Sequence, residues 1–320
     1  MASLISSSAS VLSLSFLILS FFQDACSVVR AGAVSGVTFT FTNRCGGTVW
    51  PGVLANSGSS PLETTGFALG SGEARSLTAP AGWSGRFWAR TGCTFDPSGK
   101  GSCATGDCGS GEVECHGKGA APPATLVEFT LDGSGGKDYY DVSLVDGYNL
   151  PMVVEASDQR SGCPVTGCVV DVNALCPQEL RAGEGQVMAC RSACEAFGTP
   201  EYCCSGQYGN PDTCRPSVYS QMFKTACPRS YSYAYDDATS TFTCTGTDYS
   251  ITFCPPRAGT PNSQKATKDP SPRPDDVQLQ GDSWLASLAT GEMDAATSTA
   301  VASLQLQAAL TAAAIVALLV

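Results

Sequence analysis

Seventeen cysteines in 320 residues constrain this chain more than any other feature. Such a density serves metal ligation, thiol redox exchange or covalent cross-linking. The densest stretch, Gly99–Cys115 (GKGSCATGDCGSGEVEC), has three cysteines among five glycines. Four residues separate Cys103 from Cys108, and six separate Cys108 from Cys115. No CxxC pair occurs and His116 is the only histidine, so the usual ligands of zinc and the usual geometry of a redox pair are both missing. Cross-linking is the reading that remains, and no metal or cofactor is expected.

The chain ends supply the compartment that cross-linking needs. Val11–Phe22 (VLSLSFLILSFF) is an apolar run of h-region length, followed by small residues at Ala31-Gly32-Ala33 and Val34-Ser35-Gly36, either of which can precede cleavage. Residues 1–36 therefore read as a secretory signal peptide. Cys26 falls inside it, which leaves sixteen cysteines, an even number in a secreted chain. After Cys254 the cysteines stop, and residues 256–294 form a stretch rich in Pro, Ser, Thr and charge that reads as a linker. The chain closes on AALTAAAIVALLV, Ala308–Val320, which is short for a membrane span. Small residues at Asp294-Ala295-Ala296, an uncharged spacer and this apolar tail are the elements of a GPI-attachment signal over residues 295–320, with Asp294 as the attachment residue. The expected location is the outer face of the plasma membrane, or the apoplast and cell wall.

Charge narrows the partners. The net charge is −11, and residues 31–254 alone carry 13 basic against 22 acidic side chains. Nucleic acid, whose phosphates need a basic footprint, is excluded as a partner. The molecule is expected to be a monomer.

Strand patterns fill the first half. In VTFTFTN, Val37, Phe39 and Phe41 alternate with threonines. Gly85–Thr91 (GRFWART), Thr125–Asp132 (TLVEFTLD) and Tyr139–Val145 (YYDVSLV) also read as strands, with Gly, Pro and Ser clusters between them. No long segment of 3.6 period precedes Cys163, so a mainly β fold is expected, a sandwich of antiparallel sheets. From Cys163 to Cys244 the texture changes to ten cysteines and short helical candidates, the best being Pro216–Ala226. Loop-rich chain of that kind has little core and needs cross-links to hold it.

Gly99-x-Gly101-x-Cys103-x-Thr105-Gly106-Asp107-Cys108, followed by Gly111 and Cys115, resembles the signature of the thaumatin family. NRCGGTVWPG, FWARTGCTFD, KDYYDVSLVDGYNLPM, EYCC and STFTC are similar to the same family in the same order. The likeness runs from about Val37 to Pro255 and points to the plant thaumatin-like proteins, a class of pathogenesis-related defence proteins. It implies a thaumatin-like flattened β-sandwich over residues 37–255, with a disulfide-rich lobe at about 163–244 and a cleft between them. It also implies eight pairs: Cys45–Cys254, Cys93–Cys103, Cys108–Cys115, Cys163–Cys244, Cys168–Cys227, Cys176–Cys190, Cys194–Cys203 and Cys204–Cys214.

The resemblance further implies an acidic cleft made of one arginine and four acids, which fall on Arg86, Glu128, Asp141, Asp146 and Asp237. Alternation supports part of this from the residues themselves: Glu128 lies opposite Val127, Phe129 and Leu131, and Asp141 opposite Tyr140, Val142 and Leu144. One departure is Arg229 in CPRSYSY, where the family usually has Asp. The function implied is antifungal defence through binding of β-1,3-glucan, or of another fungal cell-wall or membrane component, with aromatics such as Phe87, Trp88, Tyr139, Tyr140 and Tyr148 beside the acids. A weak endo-β-1,3-glucanase is the alternative, with Glu128 as proton donor and Asp146 as base, since glycoside hydrolysis needs one protonated and one ionised carboxyl. Inhibition of a microbial hydrolase is a third expectation.

Overall fold

The computed structural model describes residues 36–256, apart from 159–161 and 184. The expected signal peptide, linker, GPI signal and Asp294 lie outside the described residues.

Two five-stranded sheets face each other. The first runs β10 (Thr166–Gly167), β9 (Met152–Ala156), β14 (Tyr249–Phe253), β1 (Val37–Asn43) and β3 (Ala74–Ala79). The second runs β13 (Phe242–Cys244), β8 (Asp138–Ser143), β7 (Leu126–Thr130), β4 (Ser84–Arg90) and β2 (Trp50–Ala55). Two hairpins, β5 (Thr94–Phe95) with β6 (Gly101–Ser102) and β11 (Arg181–Ala182) with β12 (Ala189–Cys190), lie outside them. The fold is mainly β, as the strand patterns predict, and the sheets are antiparallel except for one pair: β1 and β14 run parallel. Parallel pairing brings the C-terminal ends of both strands together, so Cys45 and Cys254, each just past its strand, meet with Cα atoms 5.0 Å apart and form a disulfide.

Aromatic rings fill the space between the sheets. Phe39 packs edge-on against Phe87 and Phe129 at 4.9 and 4.7 Å, and Phe41 against Phe87 at 5.0 Å, arrangements that favour the positive ring edge over a negative face. The Tyr249 hydroxyl crosses from one sheet to the other and donates to Asp138 Oδ2 at 2.8 Å. A buried hydroxyl and carboxylate thus satisfy each other inside an apolar core.

All eight expected disulfides are present with the expected partners. In the lobe they take the place of a large core: its buried cluster includes Cys168, Cys176, Cys190 and Cys227 beside Leu144, Tyr148 and Phe223. The helices there are short: α1 (Ala193–Phe197), α2 (Val218–Ala226) and α3 (Asp237–Ser240). Pro216 precedes α2 rather than opening it; Ser217 caps the helix, accepting from the Ser220 amide while Ser220 Oγ accepts from the Ser217 amide. Met222 and Phe223 face inward, whereas Val218 is exposed.

The glycine-rich stretch forms a roof over the outer face of the second sheet. Arg86, Trp88 and Arg90 share that face of β4 by alternation, with Phe87 and Ala89 in the core. Trp88 and Leu126 are covered by Cys108, Cys115 and Ala124. The Trp88 indole N–H donates to the Gly106 carbonyl at 2.8 Å, and buried Arg90 donates to the Val113 carbonyl at 2.6 Å and to the Trp50 carbonyl at 3.0 Å. Asp107 accepts from the amides of Cys103 and Gly109, closing the turn between the two cystines.

Candidate functional site

Where the roof ends, the outer face of the second sheet stays open. Strand register places Arg86 opposite Glu128 and Glu128 opposite Asp141, so three adjacent strands, β4, β7 and β8, contribute one residue each to a single row. Side chains directly opposite on one face lie about 5 Å apart at Cβ. Arg86 Nη2 is 3.3 Å from Glu128 Oε1, and both side chains are 35% exposed. One side of the cleft is therefore fixed by a β ladder and not by loops.

The other side comes from the turn after β8 and from the lobe. Asp146 precedes Gly147, whose φ is 84° and whose position leaves no room for a side chain: a Cβ would stand 2.7 Å from the Cys190 carbonyl oxygen and from Pro123. The Asp146 carbonyl accepts from the Ala124 amide at 3.0 Å. Past the end of β13, Tyr231 takes over that side of β8, its amide donating to the Val142 carbonyl and its carbonyl accepting from the Leu144 amide. Its hydroxyl donates to Asp237 Oδ1 at 2.9 Å at the start of α3. Behind Asp237, Asp236 is held by Lys224 at 2.9 Å and by both the amide and the hydroxyl of Ser232.

All five residues expected in the cleft line one cavity of about 390 Å3, together with Leu126, Ser143, Val145, Tyr231 and Ala234. Burial, reinforced by the charges of Glu128 and Asp237 and opposed by Arg86, pushes the Asp141 carboxyl up to about 8. Its Oδ1 is buried without a hydrogen-bond partner. Burial raises Glu128 as well, with Arg86 pulling it down and Asp146 pushing it further up. At neutral pH the row thus sets a guanidinium beside two carboxyls of raised proton affinity, of which Asp141 keeps its proton.

The aromatics expected beside the acids are a correction. Phe87, Trp88, Tyr140 and Tyr148 are all buried, at 0%, 0%, 1% and 0% exposure. Phe87 and Tyr140 point into the sandwich, Tyr148 into the lobe core, and Trp88 lies under the roof. Tyr139 is half-buried and bonds the Ser134 carbonyl, away from the acids. The aromatic on the cleft wall is Tyr231, which sits in an irregular segment without a strand pattern to reveal it. Arg229 lies over the Phe242 ring at 4.6 Å and does not line the cleft. His116 is exposed and contacts Glu112 at 2.8 Å.

A two-sheet β-sandwich joined to a cystine-held lobe, with carboxyls along the seam, defines a class of protein, and comparison with known proteins places the chain within it. The model of the thaumatin family matches residues 43–255, and the chain belongs to that family. It is 63% identical over 249 residues to thaumatin-like protein 1 of Arabidopsis thaliana, covering 75% of this chain and 94% of that one. It is 59% identical over 227 residues to the pathogenesis-related thaumatin-like protein 3.5 of Cryptomeria japonica, covering 71% and 92%. A glucan endo-1,3-beta-glucosidase of Prunus avium is 52% identical over 248 residues, covering 77% and 97%.

Proposed function

We propose that this is a secreted defence protein that binds β-1,3-glucan, or a related polymer of the fungal surface, in its acidic cleft, and that a GPI anchor holds it at the membrane. The row Arg86–Glu128–Asp141 carries the reading. A guanidinium donates, a carboxyl oxygen accepts, and the protonated Asp141 carboxyl does both, so neighbouring hydroxyls of a sugar meet matched partners along the row. The similar glucan endo-1,3-beta-glucosidase supports the choice of polymer. Titrating β-1,3-glucan oligomers into wild type and Glu128→Gln tests it: weaker binding by the variant is expected, and equal binding overturns the cleft as the site. Release of the protein from membranes by a phosphatidylinositol-specific phospholipase tests the anchor.

A second reading, slow hydrolysis of the same glucan, is favoured by the split between neighbouring carboxyls. A retained proton is what a general acid needs. Burial falls hardest on Asp141, which makes it a better donor than Glu128, with Glu128 or Asp146 as base or nucleophile. Sugar release by wild type that is lost in Asp141→Asn supports turnover; binding without release by wild type leaves the protein a lectin-like binder.

A further inference from the structure

We infer that the cystine-rich lobe holds a second sugar-binding pocket continuous with the acidic cleft, so that the two together take one linear polysaccharide chain. A cavity of about 340 Å3 opens in the lobe, and it shares Val145, Asp146 and Ala234 with the cleft. Asp146 therefore stands at the junction of the two. The groups that give the lobe cavity its chemistry are Glu195, Glu201, Tyr202, Arg215 and Tyr233.

Four of these five are fixed by a neighbouring cystine. Glu195 follows Cys194, Glu201 and Tyr202 precede Cys203, and Arg215 follows Cys214, in the bridges Cys194–Cys203 and Cys204–Cys214. The Tyr202 ring is backed by Phe197 at 5.6 Å and Tyr219 at 5.9 Å, themselves 5.4 Å apart, so one wall of the pocket is a braced aromatic surface. Among the described residues, the hydroxyls of Tyr202 and Tyr233, the carboxylates of Glu195 and Glu201 and the Arg215 guanidinium make no side-chain hydrogen bond or salt bridge within the chain. A rigid ring offers area to the apolar face of a pyranose at little entropic cost, while carboxylates and a guanidinium can bridge its vicinal hydroxyls. The acidic cleft has the hydroxyl-binding groups but little aromatic wall; the lobe pocket supplies that surface. Three acids against one arginine make an anionic ligand a poor occupant.

The inference rests on the carbohydrate reading of the cleft, and the experiment separates the two. Affinities of linear β-1,3-glucan disaccharide through hexasaccharide are measured by calorimetry for wild type, Tyr202→Ala, Tyr233→Ala and Glu128→Gln, each first shown to keep the wild-type thermal midpoint. Wild-type affinity is expected to rise with chain length. Tyr202→Ala or Tyr233→Ala should weaken the hexasaccharide about fivefold to tenfold and leave the disaccharide unchanged. Glu128→Gln should weaken both. If both tyrosine variants match wild type at every length while Glu128→Gln weakens binding, the lobe pocket is excluded and the cleft stands. If wild type binds none of the oligomers, the cleft reading falls and the lobe pocket with it.

Discussion

Glu128 and Asp141 face each other across β7 and β8, two carboxyls on neighbouring strands with Arg86 on the far side of the first. The arrangement spares the row a second full negative charge at neutral pH, since Asp141 keeps its proton up to about 8.

That retained proton makes stability depend on pH in a defined direction. The unfolded chain releases the Asp141 proton near pH 4, whereas the folded protein holds it to about 8. Between those values the folded state binds more protons, so this residue's contribution is complete below about pH 4 and is lost as pH rises toward 8. Asp141→Asn should remove that slope. Thermal midpoints taken from pH 4 to 8 should fall in wild type relative to the variant, by about 2–4 °C for each kcal/mol. Parallel curves would refute the assignment.

Arg86 opposes the rise of both acids. Arg86→Gln should therefore raise the carboxyl pKa of Glu128 and of Asp141 together. Carbon-detected NMR titration of the side-chain carboxyls reads this directly, and an unchanged Asp141 would show that Arg86 does not act across the row.

Lys224 and Asp236 are 25% and 11% exposed, and their ion pair backs the segment that presents Tyr231 and Asp237. Lys224→Met leaves Asp236 without its cation. A loss of about 1–3 kcal/mol in urea denaturation is expected, less than for a fully buried pair because solvent screens part of it. Faster amide exchange confined to residues 230–240 should accompany it, with exchange in β4 and β7 unchanged.

Gly52 lies opposite Trp88 across β2 and β4, and a Cβ there would stand 2.3 Å from the indole ring. Gly52→Ala must displace Trp88 from beneath the roof. A cost of about 1–3 kcal/mol and a shifted tryptophan emission are expected.

Much of this was legible in the residues because alternation is a local signal. VTFTFTN, GRFWART, TLVEFTLD and YYDVSLV match the strands β1, β4, β7 and β8 to within two residues at each end. These are the strands that carry the Arg86–Glu128–Asp141 row. Alternation could also have shown that Phe87 and Tyr140 point away from Arg86 and Asp141, since each is the next residue in its strand. It was silent on β2, whose WPGVLA contains Pro51 and Gly52; an edge position tolerates the proline, and Trp88 requires the glycine. The pairing of β1 with β14 joins residues more than two hundred positions apart, which no local pattern encodes. Tyr231, Tyr202 and Tyr233 reach their walls through irregular chain set by cystines and capped turns, so their placement needed coordinates.

The Cys45–Cys254 clasp governs how the sandwich responds to force. Tension on the chain beyond residue 256 would ordinarily peel β14 from its neighbours one hydrogen bond at a time. Here the load passes at Cys254 through a covalent bond into the root of β1, before it reaches the ladder. A pull from that end therefore loads two adjacent strands together, in shear, instead of unzipping one.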